Sequence, residues 1–156
     1  MVQELASSLI KKLEEKNLTI AVAESLTGGL VAASLTEIPG ASKVFKGSIT
    51  AYADEIKQSV LNVKEETILK FTSISEQVAL EMAINVRTIM KSDIGISTTG
   101  VAGPEKSAGF APGLVFVAIS IGDHNMCQKL EITGDRSKIR NQTVHEILQL
   151  TLSRLV

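Results

Sequence analysis

Hydroxyl side chains and paired glycines follow an apolar run near the start of the chain. Residues 19–23 are mostly β-branched or small and apolar, and Glu-Ser-Leu-Thr-Gly-Gly follows at residues 24–29, before an alanine- and leucine-rich segment at 30–38. This order predicts a strand, a tight turn and a helix, with free amides at the helix start where an anion can dock. A serine at such a turn resembles a nucleophile elbow, so Ser25 is a candidate nucleophile. A turn required only for packing fits the same pattern.

A second segment of hydroxyls and glycines, residues 98–104, follows another short apolar run, residues 94–98. In open α/β sheets, ligands bind beyond the carboxyl ends of the central parallel strands, so we expect both loops to face one crevice. Their hydroxyls and amides are groups that hold a phosphate or an oxyanion. The candidate binding residues are Thr27, Gly28, Gly29, Thr99 and Gly100. Neither loop has the spacing of a Walker or dinucleotide motif, which disfavours a nucleoside triphosphate site.

The rest of the chain alternates between helical and strand patterns without a linker. Leucines at every fourth position predict an amphipathic helix over about residues 3–15. The other predicted elements are a strand at 47–53 carrying Tyr52, a short helix capped by Asp54, a helix opened by Ser73 and Glu76, a strand at 94–98, a hairpin of 114–121 with 126–132, and a helix from about Asp135. Together they predict one α/β domain over residues 1–156, with a mixed sheet of about five strands and helices on both faces.

Composition excludes several classes of protein. The 156 residues carry 16 basic and 17 acidic side chains, which gives no broad electrostatic footprint for nucleic acid or for an anionic membrane surface. The single cysteine, Cys127, has no partner for an internal disulfide. The first residues do not fit a signal peptide, and no apolar stretch has the length of a membrane span. We therefore expect a cytoplasmic protein without nucleic-acid or membrane partners.

Several motifs together resemble one family. They are Ala-Glu-Ser-Leu-Thr-Gly-Gly at 23–29, Pro-Gly-Ala-Ser at 39–42 leading into Phe-Lys-Gly at 45–47, Tyr52 with Lys57 five residues later, Thr-Gly-Val-Ala-Gly-Pro at 99–104, and Gly-Asp-Arg at 134–136 with Arg140. In this order they resemble the CinA C-terminal domain and its stand-alone relatives, the nicotinamide-nucleotide amidases. The resemblance implies a three-layer α/β/α sandwich, a dimer, and cofactor-free hydrolysis of nicotinamide mononucleotide to nicotinate mononucleotide and ammonia.

The resemblance also implies roles for individual residues. The family's nucleophile falls on Ser42 and its general base on Lys57, while supporting polar roles fall on Ser25, Tyr52, Thr99 and Arg140. By residue type, Tyr52 can hydrogen-bond Ser42 or Lys57 and relay a proton, and Arg140 can hold the substrate phosphate. A packing tyrosine with a solvated hydroxyl and a surface arginine are the alternatives. From local sequence alone Ser42 is an ordinary turn residue, so Ser25 stays the alternative nucleophile.

Amide hydrolysis needs a base that is neutral near physiological pH, and a lysine serves if its pKa is depressed. Lys57 falls in the first turn of the helix predicted after Asp54, where the helix dipole favours the neutral amine. We expect desolvation to be the larger cause of a lowered pKa. A solvated surface lysine is the alternative reading of the same segment. His124, in the predicted hairpin turn, and His145, on the last helix, are read as ordinary polar residues.

No metal site is predicted, because the two histidines and Cys127 are scattered and no acidic loop has calcium-binding spacing. The chain departs from the family pattern at Leu26, where many relatives have cysteine, and over residues 105–113, which lack the family's additional glycines. A non-catalytic nucleotide- or phosphate-binding module acting through a partner is the alternative function. A low-pKa amine beside a hydroxyl discriminates between the two, since binding alone does not require it.

Overall fold

A computed structural model describes all 156 residues and contains one five-stranded sheet. The strands are β1 (Ile20–Glu24), β2 (Phe45–Thr50), β3 (Ile94–Gly100), β4 (Leu114–Ile121) and β5 (His124–Glu131). They lie in the order β2-β1-β3-β4-β5. β1 is parallel to both of its neighbours, β2 and β3, and β4 runs antiparallel to β3 and β5. The predicted mixed sheet is therefore confirmed.

Six α-helices surround the sheet: α1 (Val2–Lys16), α2 (Leu30–Thr36), α3 (Asp54–Ser59), α4 (Glu65–Phe71), α5 (Glu76–Met90) and α6 (Arg136–Ser153). Helices α1, α2 and α6 pack against one another on one face, and α5 covers the other face with α4 beside it. The three-layer α/β/α arrangement is confirmed. A short 3-10 turn at Ala41–Lys43 and helix α4 were not predicted from the sequence pattern.

The core explains why the central strand is a continuous apolar run. Every residue of β1 is buried, because helices cover both faces of the sheet there. The larger apolar cluster lies under α1, α2 and α6, and the smaller one joins Ala21 and Ala23 to α5. Helix α5 can approach β3 closely only because residue 95 is glycine, since a Cβ there would lie 2.1 Å from the carbonyl oxygen of Ala83.

Some predicted element boundaries are wrong. Strand β2 ends at Thr50, so Tyr52 lies in the loop before α3 and not on a strand. Asp54 is the first residue of α3 and not its cap, contrary to prediction. The N-cap position belongs to Ala53, and no side chain caps this helix. Ser75 caps α5 through its hydroxyl, which accepts from the backbone N–H of Val78.

The ends of the hairpin and of the last helix are also defined by local chemistry. The loop between β4 and β5 contains only Gly122 and Asp123, so His124 belongs to a strand and not to the turn. The predicted start of the last helix is confirmed: the Asp135 carboxylate caps α6 by accepting from the backbone N–H of Lys138 at 2.8 Å. This cap fixes the direction in which the first turn of α6 leaves the sheet.

The chain order creates a crevice between β1 and β3. From β1 the chain passes through α2 to β2 on one side, and from β2 it passes through α3, α4 and α5 to β3 on the other. The carboxyl ends of β1 and β3 are adjacent, with Glu24 paired to Thr98. Loops diverge from such a point in opposite directions and leave an opening between them.

A buried glutamate holds the first loop in place. Glu24, fully buried at the end of β1, accepts from the backbone N–H groups of Val31 at 2.9 Å and Ala32 at 3.1 Å through its two carboxylate oxygens. The carboxylate therefore satisfies the first turn of α2, which has no capping side chain at Gly29. The sequence pattern did not reveal this role.

We expect Glu24→Ala to lower the free energy of unfolding by about 2–4 kcal/mol, because one buried and one half-buried N–H group lose their acceptor. Urea denaturation followed by circular dichroism measures the change. Glu37→Ala is the matched control, since Glu37 is an exposed glutamate at the other end of α2. Equal stability of the two variants would contradict the role assigned to Glu24.

None of the helices combines the length and apolar character that crossing a bilayer requires.

Candidate functional site

A cleft of about 590 Å³ opens beyond the carboxyl ends of β1 and β3. Its lining includes Ser25, Tyr52, Lys57, Thr99, Gly100 and Arg136. The prediction that two hydroxyl-bearing loops face one crevice is confirmed, because Ser25 comes from the loop after β1 and Thr99 and Gly100 end β3.

The polar centre of the cleft is a direct contact between a lysine and a serine. The Lys57 Nζ lies 2.9 Å from the Ser25 Oγ and 3.0 Å from the Tyr52 carbonyl oxygen. Ser25 is 7% exposed and Lys57 is 2% exposed. Because the Tyr52 carbonyl can only accept a hydrogen bond, it holds one N–H of the amine and leaves the neutral amine's lone pair available to the Ser25 hydroxyl.

Burial lowers the pKa of Lys57, because the ammonium ion loses hydration in this site. The carboxylate of Asp54, with its Oδ1 3.8 Å from the Nζ, raises the same pKa and so opposes the larger effect of burial. The expectation that desolvation dominates is confirmed. The first turn of α3 thus supplies an amine that loses its proton more easily than an exposed lysine does.

The predicted pairing of Ser42 with Lys57 is wrong. Ser42 is an exposed residue of the 3-10 turn, and the hollow that it borders is formed with Thr36, Phe45 and their neighbours, without any residue of the cleft. The serine that contacts Lys57 is Ser25, the alternative that the strand-to-turn pattern indicated. The physical reason is that Ser42 precedes β2, whereas the cleft lies beyond the strands' carboxyl ends.

Thr27, Gly28 and Gly29 do not line the cleft, contrary to prediction. The Thr27 side chain is fully buried, and its Oγ1 lies 2.8 Å from the Thr98 Oγ1, a contact that ties the two loops together. Gly28 and Gly29 have φ angles of 58° and 109°, which glycine adopts without strain, and they turn the chain into α2. An anion cannot dock at the start of α2, because the Glu24 carboxylate occupies the amides there.

Arg140 does not reach the cleft either. Its guanidinium donates to the carbonyl oxygens of Leu26 at 2.9 Å and Thr27 at 3.1 Å, and Arg140 is not among the residues that line the cleft. It therefore supports the loop that carries Ser25. Arg136, one helical turn earlier, lines the cleft and donates to the carbonyl oxygen of Gly103 and to the Tyr52 hydroxyl.

Arg136 was not predicted to be a site residue, although it belongs to the Gly-Asp-Arg motif at 134–136. The available signal was the pair of arginines four residues apart, which lie on one face of a helix. Which of the two reaches the opening depends on where α6 begins.

Tyr52 and Thr99 line the cleft in orientations that differ from a proton-relay arrangement. The Tyr52 hydroxyl lies 3.1 Å from the Arg136 Nη2, and its hydrogen-bond partners do not include Ser25 or Lys57. The Thr99 hydroxyl donates to the carbonyl oxygen of Ser73 at 2.7 Å, which fastens the loop before α5 to the end of β3. The Tyr52 carbonyl therefore accepts from Lys57 and its exposed side chain borders the cleft, while Thr99 holds the loop before α5 in place.

The remaining nucleophilic and metal-ligating groups lie elsewhere. His145 is on α6 beside Glu146, His124 is on β5, and no three His, Cys, Asp or Glu side chains are placed to hold a metal ion together. Burial, together with the negative charge of Glu76, raises the pKa of the Cys127 thiol to about 12. This cysteine is therefore a poor nucleophile at neutral pH.

The family model of the CinA C-terminal domain matches residues 2–155. The chain belongs to this family. A putative competence-damage inducible protein of Clostridioides difficile (strain 630) is 48% identical over 145 residues, which are 92% of this chain and 35% of that protein. One from Thermoanaerobacter pseudethanolicus is 41% identical over 149 residues, covering 95% of this chain and 36% of that protein. This CinA C-terminal domain thus spans about a third of the length of such relatives.

Solved structures of the CinA superfamily have the same fold. A competence or damage-inducible protein from Enterobacter asburiae superposes with a TM-score of 0.98 at 33% identity, covering 100% of this chain and 99% of that one. The protein CihA from Agrobacterium tumefaciens gives a TM-score of 0.94, also at 33% identity, with 99% and 94% covered. The match extends over the whole sheet and all its helices, so the cleft lies in a shared framework.

Proposed function

We propose that this CinA C-terminal domain is a metal-independent amidohydrolase that converts nicotinamide mononucleotide to nicotinate mononucleotide and ammonia. The observation that carries the proposal is the buried contact of 2.9 Å between the Lys57 Nζ and the Ser25 Oγ. A low-pKa amine beside a hydroxyl is the arrangement that activates a serine for attack. Simple binding of a nucleotide does not require it, which favours an enzyme over a binding module.

The first step is attack by Ser25 on the carboxamide carbon. The neutral Lys57 amine takes the hydroxyl proton as the Oγ forms a bond to that carbon, and the amide oxygen becomes negatively charged. The backbone N–H group of Leu26 makes no hydrogen bond within the chain, and Leu26 borders the cleft directly after the nucleophile. This N–H group is our candidate for stabilising the oxyanion.

The second step expels ammonia. The Lys57 ammonium, stabilised by the Asp54 carboxylate 3.8 Å away, returns its proton to the leaving nitrogen as the C–N bond breaks. An ester to Ser25 remains. Water then attacks this ester with the neutral Lys57 as base, which releases the carboxylate product and restores the serine hydroxyl.

Arg136 is the cation that a substrate phosphate would meet in the cleft. It is exposed, it borders the opening, and its position is fixed by the Gly103 carbonyl and the Tyr52 hydroxyl. Its remaining N–H groups are free to donate to phosphate oxygens, which guanidinium groups bind well. Arg140 is already committed to two carbonyl oxygens.

The direct test is release of ammonia and nicotinate mononucleotide by the purified protein incubated with nicotinamide mononucleotide. We expect turnover that EDTA does not change, because the chain has no cluster of metal ligands. Loss of turnover with EDTA, restored by a divalent ion, would contradict the metal-independent mechanism. No ammonia from an intact protein that still binds the nucleotide would instead favour the binding module.

We expect nicotinamide riboside, which lacks the phosphate, to have a kcat/KM roughly 10- to 100-fold lower than that of the mononucleotide. This is the loss expected when a charge-assisted hydrogen bond to the phosphate is removed. Arg136→Ala should remove most of this difference by lowering kcat/KM more for the mononucleotide than for the riboside. Equal kcat/KM for both substrates in the unsubstituted protein would show that the phosphate makes no productive contact. Lys138→Ala is the control, because Lys138 is an exposed cation of α6 outside the cleft.

A further inference from the structure

Tyr52 is the only aromatic residue among those that line the cleft. The chain has just one tyrosine, four phenylalanines and no tryptophan, and 61% of Tyr52 is exposed. The ring therefore contributes little to the core, whereas its position at the opening gives it a surface that a bound molecule can cover.

Tyr52 is held at two points, its side-chain hydroxyl and its backbone carbonyl. The hydroxyl lies 3.1 Å from the Arg136 Nη2, and the Tyr52 carbonyl oxygen accepts from the Lys57 Nζ at 3.0 Å. Arg136 is itself anchored on the Gly103 carbonyl across the cleft. A ring fixed in this way loses little conformational freedom when a ligand packs on it, so contact with the ring is favourable for binding.

Charges around the ring favour a cation. Asp54 and Glu105 are exposed carboxylates that line the cleft, while Arg136 is its permanently charged cation. Burial lowers the pKa of Lys57, which weakens the second positive charge of the lining. Within the chain, the one lysine placed over an aromatic ring is Lys70 over Phe71, so no cation of the protein covers the Tyr52 ring. An aromatic face attracts positive charge through its quadrupole.

We propose that Tyr52 is a substrate-recognition residue whose ring stacks on a flat, positively charged heterocycle, namely an N-substituted pyridinium. This inference rests on the proposed function for the identity of the ring. Tyr52 then selects a positively charged substrate ring over a neutral one of the same shape. Its hydroxyl fixes the tyrosine ring through Arg136 and does not move a proton.

The test measures binding without turnover, in a Ser25→Ala background. Isothermal titration gives Kd for nicotinamide mononucleotide, whose ring is cationic, and for its reduced dihydropyridine form, whose ring is neutral while amide, ribose and phosphate are unchanged. We expect the cationic form to bind more tightly. Adding Tyr52→Leu should reduce that preference by about 3- to 30-fold, the range of a cation–π contact. Adding Tyr52→Phe should leave the preference nearly unchanged.

Three outcomes would overturn the inference. The first is equal weakening of both ligands by Tyr52→Leu, and the second is no weakening of either. The third is loss of the preference in Tyr52→Phe as full as in Tyr52→Leu, which would make the hydroxyl and not the ring face responsible. Thermal unfolding confirms that each variant is folded, as expected for an exposed side chain. A clear cation preference in a protein that releases no ammonia would contradict only the proposed function, whereas binding of neither form would overturn both.

Discussion

Ser25→Ala reduces the kcat/KM of amide hydrolysis by at least about 10³-fold, because it removes the atom that forms the covalent bond to the substrate. The substitution deletes one oxygen at the cleft wall and keeps the strand, the turn and the hydrogen bond from the Ser25 N–H to the Thr98 carbonyl. Circular dichroism and the unfolding midpoint should therefore match those of the unsubstituted protein. Ammonia release under single-substrate conditions measures the loss.

Ser42→Ala is the matched control for this experiment. It deletes the same atom from an exposed serine that lies outside the cleft, so we expect kcat/KM to change by less than about 2-fold. The reverse result, with Ser42→Ala inactive and Ser25→Ala active, would show that the Ser25–Lys57 contact is structural. Near-normal turnover by both variants would exclude a serine nucleophile at either position.

Lys57→Met lowers kcat/KM by about 10²- to 10⁴-fold and removes the pH dependence that the amine confers. Methionine fills a similar volume without a charge to desolvate, so the variant should fold. Because the reactive form is the neutral amine, kcat/KM of the unsubstituted enzyme rises with pH through the pKa of Lys57 and levels off above it. Burial lowers that pKa, so the rise should be complete below the pH at which an exposed lysine titrates.

A pH profile of kcat/KM from about pH 6 to 10 tests this assignment. Asp54→Asn offers an independent check, because Asp54 raises the pKa of Lys57. Removing its charge should move the rising limb to lower pH. Ser25→Ala and Lys57→Met together should cost little more than either alone, since the two residues act as one unit. An unchanged limb in the residual activity of Lys57→Met would assign the titration to another group.

The local sequence was sufficient for most of the framework and for part of the site. Amphipathic spacing placed α1 and α5, a short apolar run placed β3, turn residues between two apolar runs placed the hairpin, and Asp135 marked the start of α6. The turn after β1 identified Ser25 from its own neighbours, and burial was correctly expected to dominate the pKa of Lys57. These features succeed because they depend on residues within a few positions of one another.

The choice between candidate residues depended on distances that no local pattern contains. Ser25 and Ser42 are both hydroxyls at turns, yet only Ser25 lies at the carboxyl end of a strand and within reach of Lys57. Arg136 and Arg140 lie on one face of α6, and the start of the helix at Asp135 leaves the first at the opening and the second bonded to the carbonyl oxygens of the loop after β1.

The sequence by itself determined a mixed α/β sheet with two hydroxyl-bearing loops, because the periodicity of strands and helices depends on residues that are close in sequence. Only the tertiary structure decided that Glu24 fills the helix start where an anion was expected, and that Tyr52 turns its hydroxyl to Arg136. The first depends on how the start of α2 packs beside the end of β1, and the second on how the first turn of α6 lies beside the loop before α3. Such contacts follow from how the layers pack, and the same local sequences would be compatible with several packings.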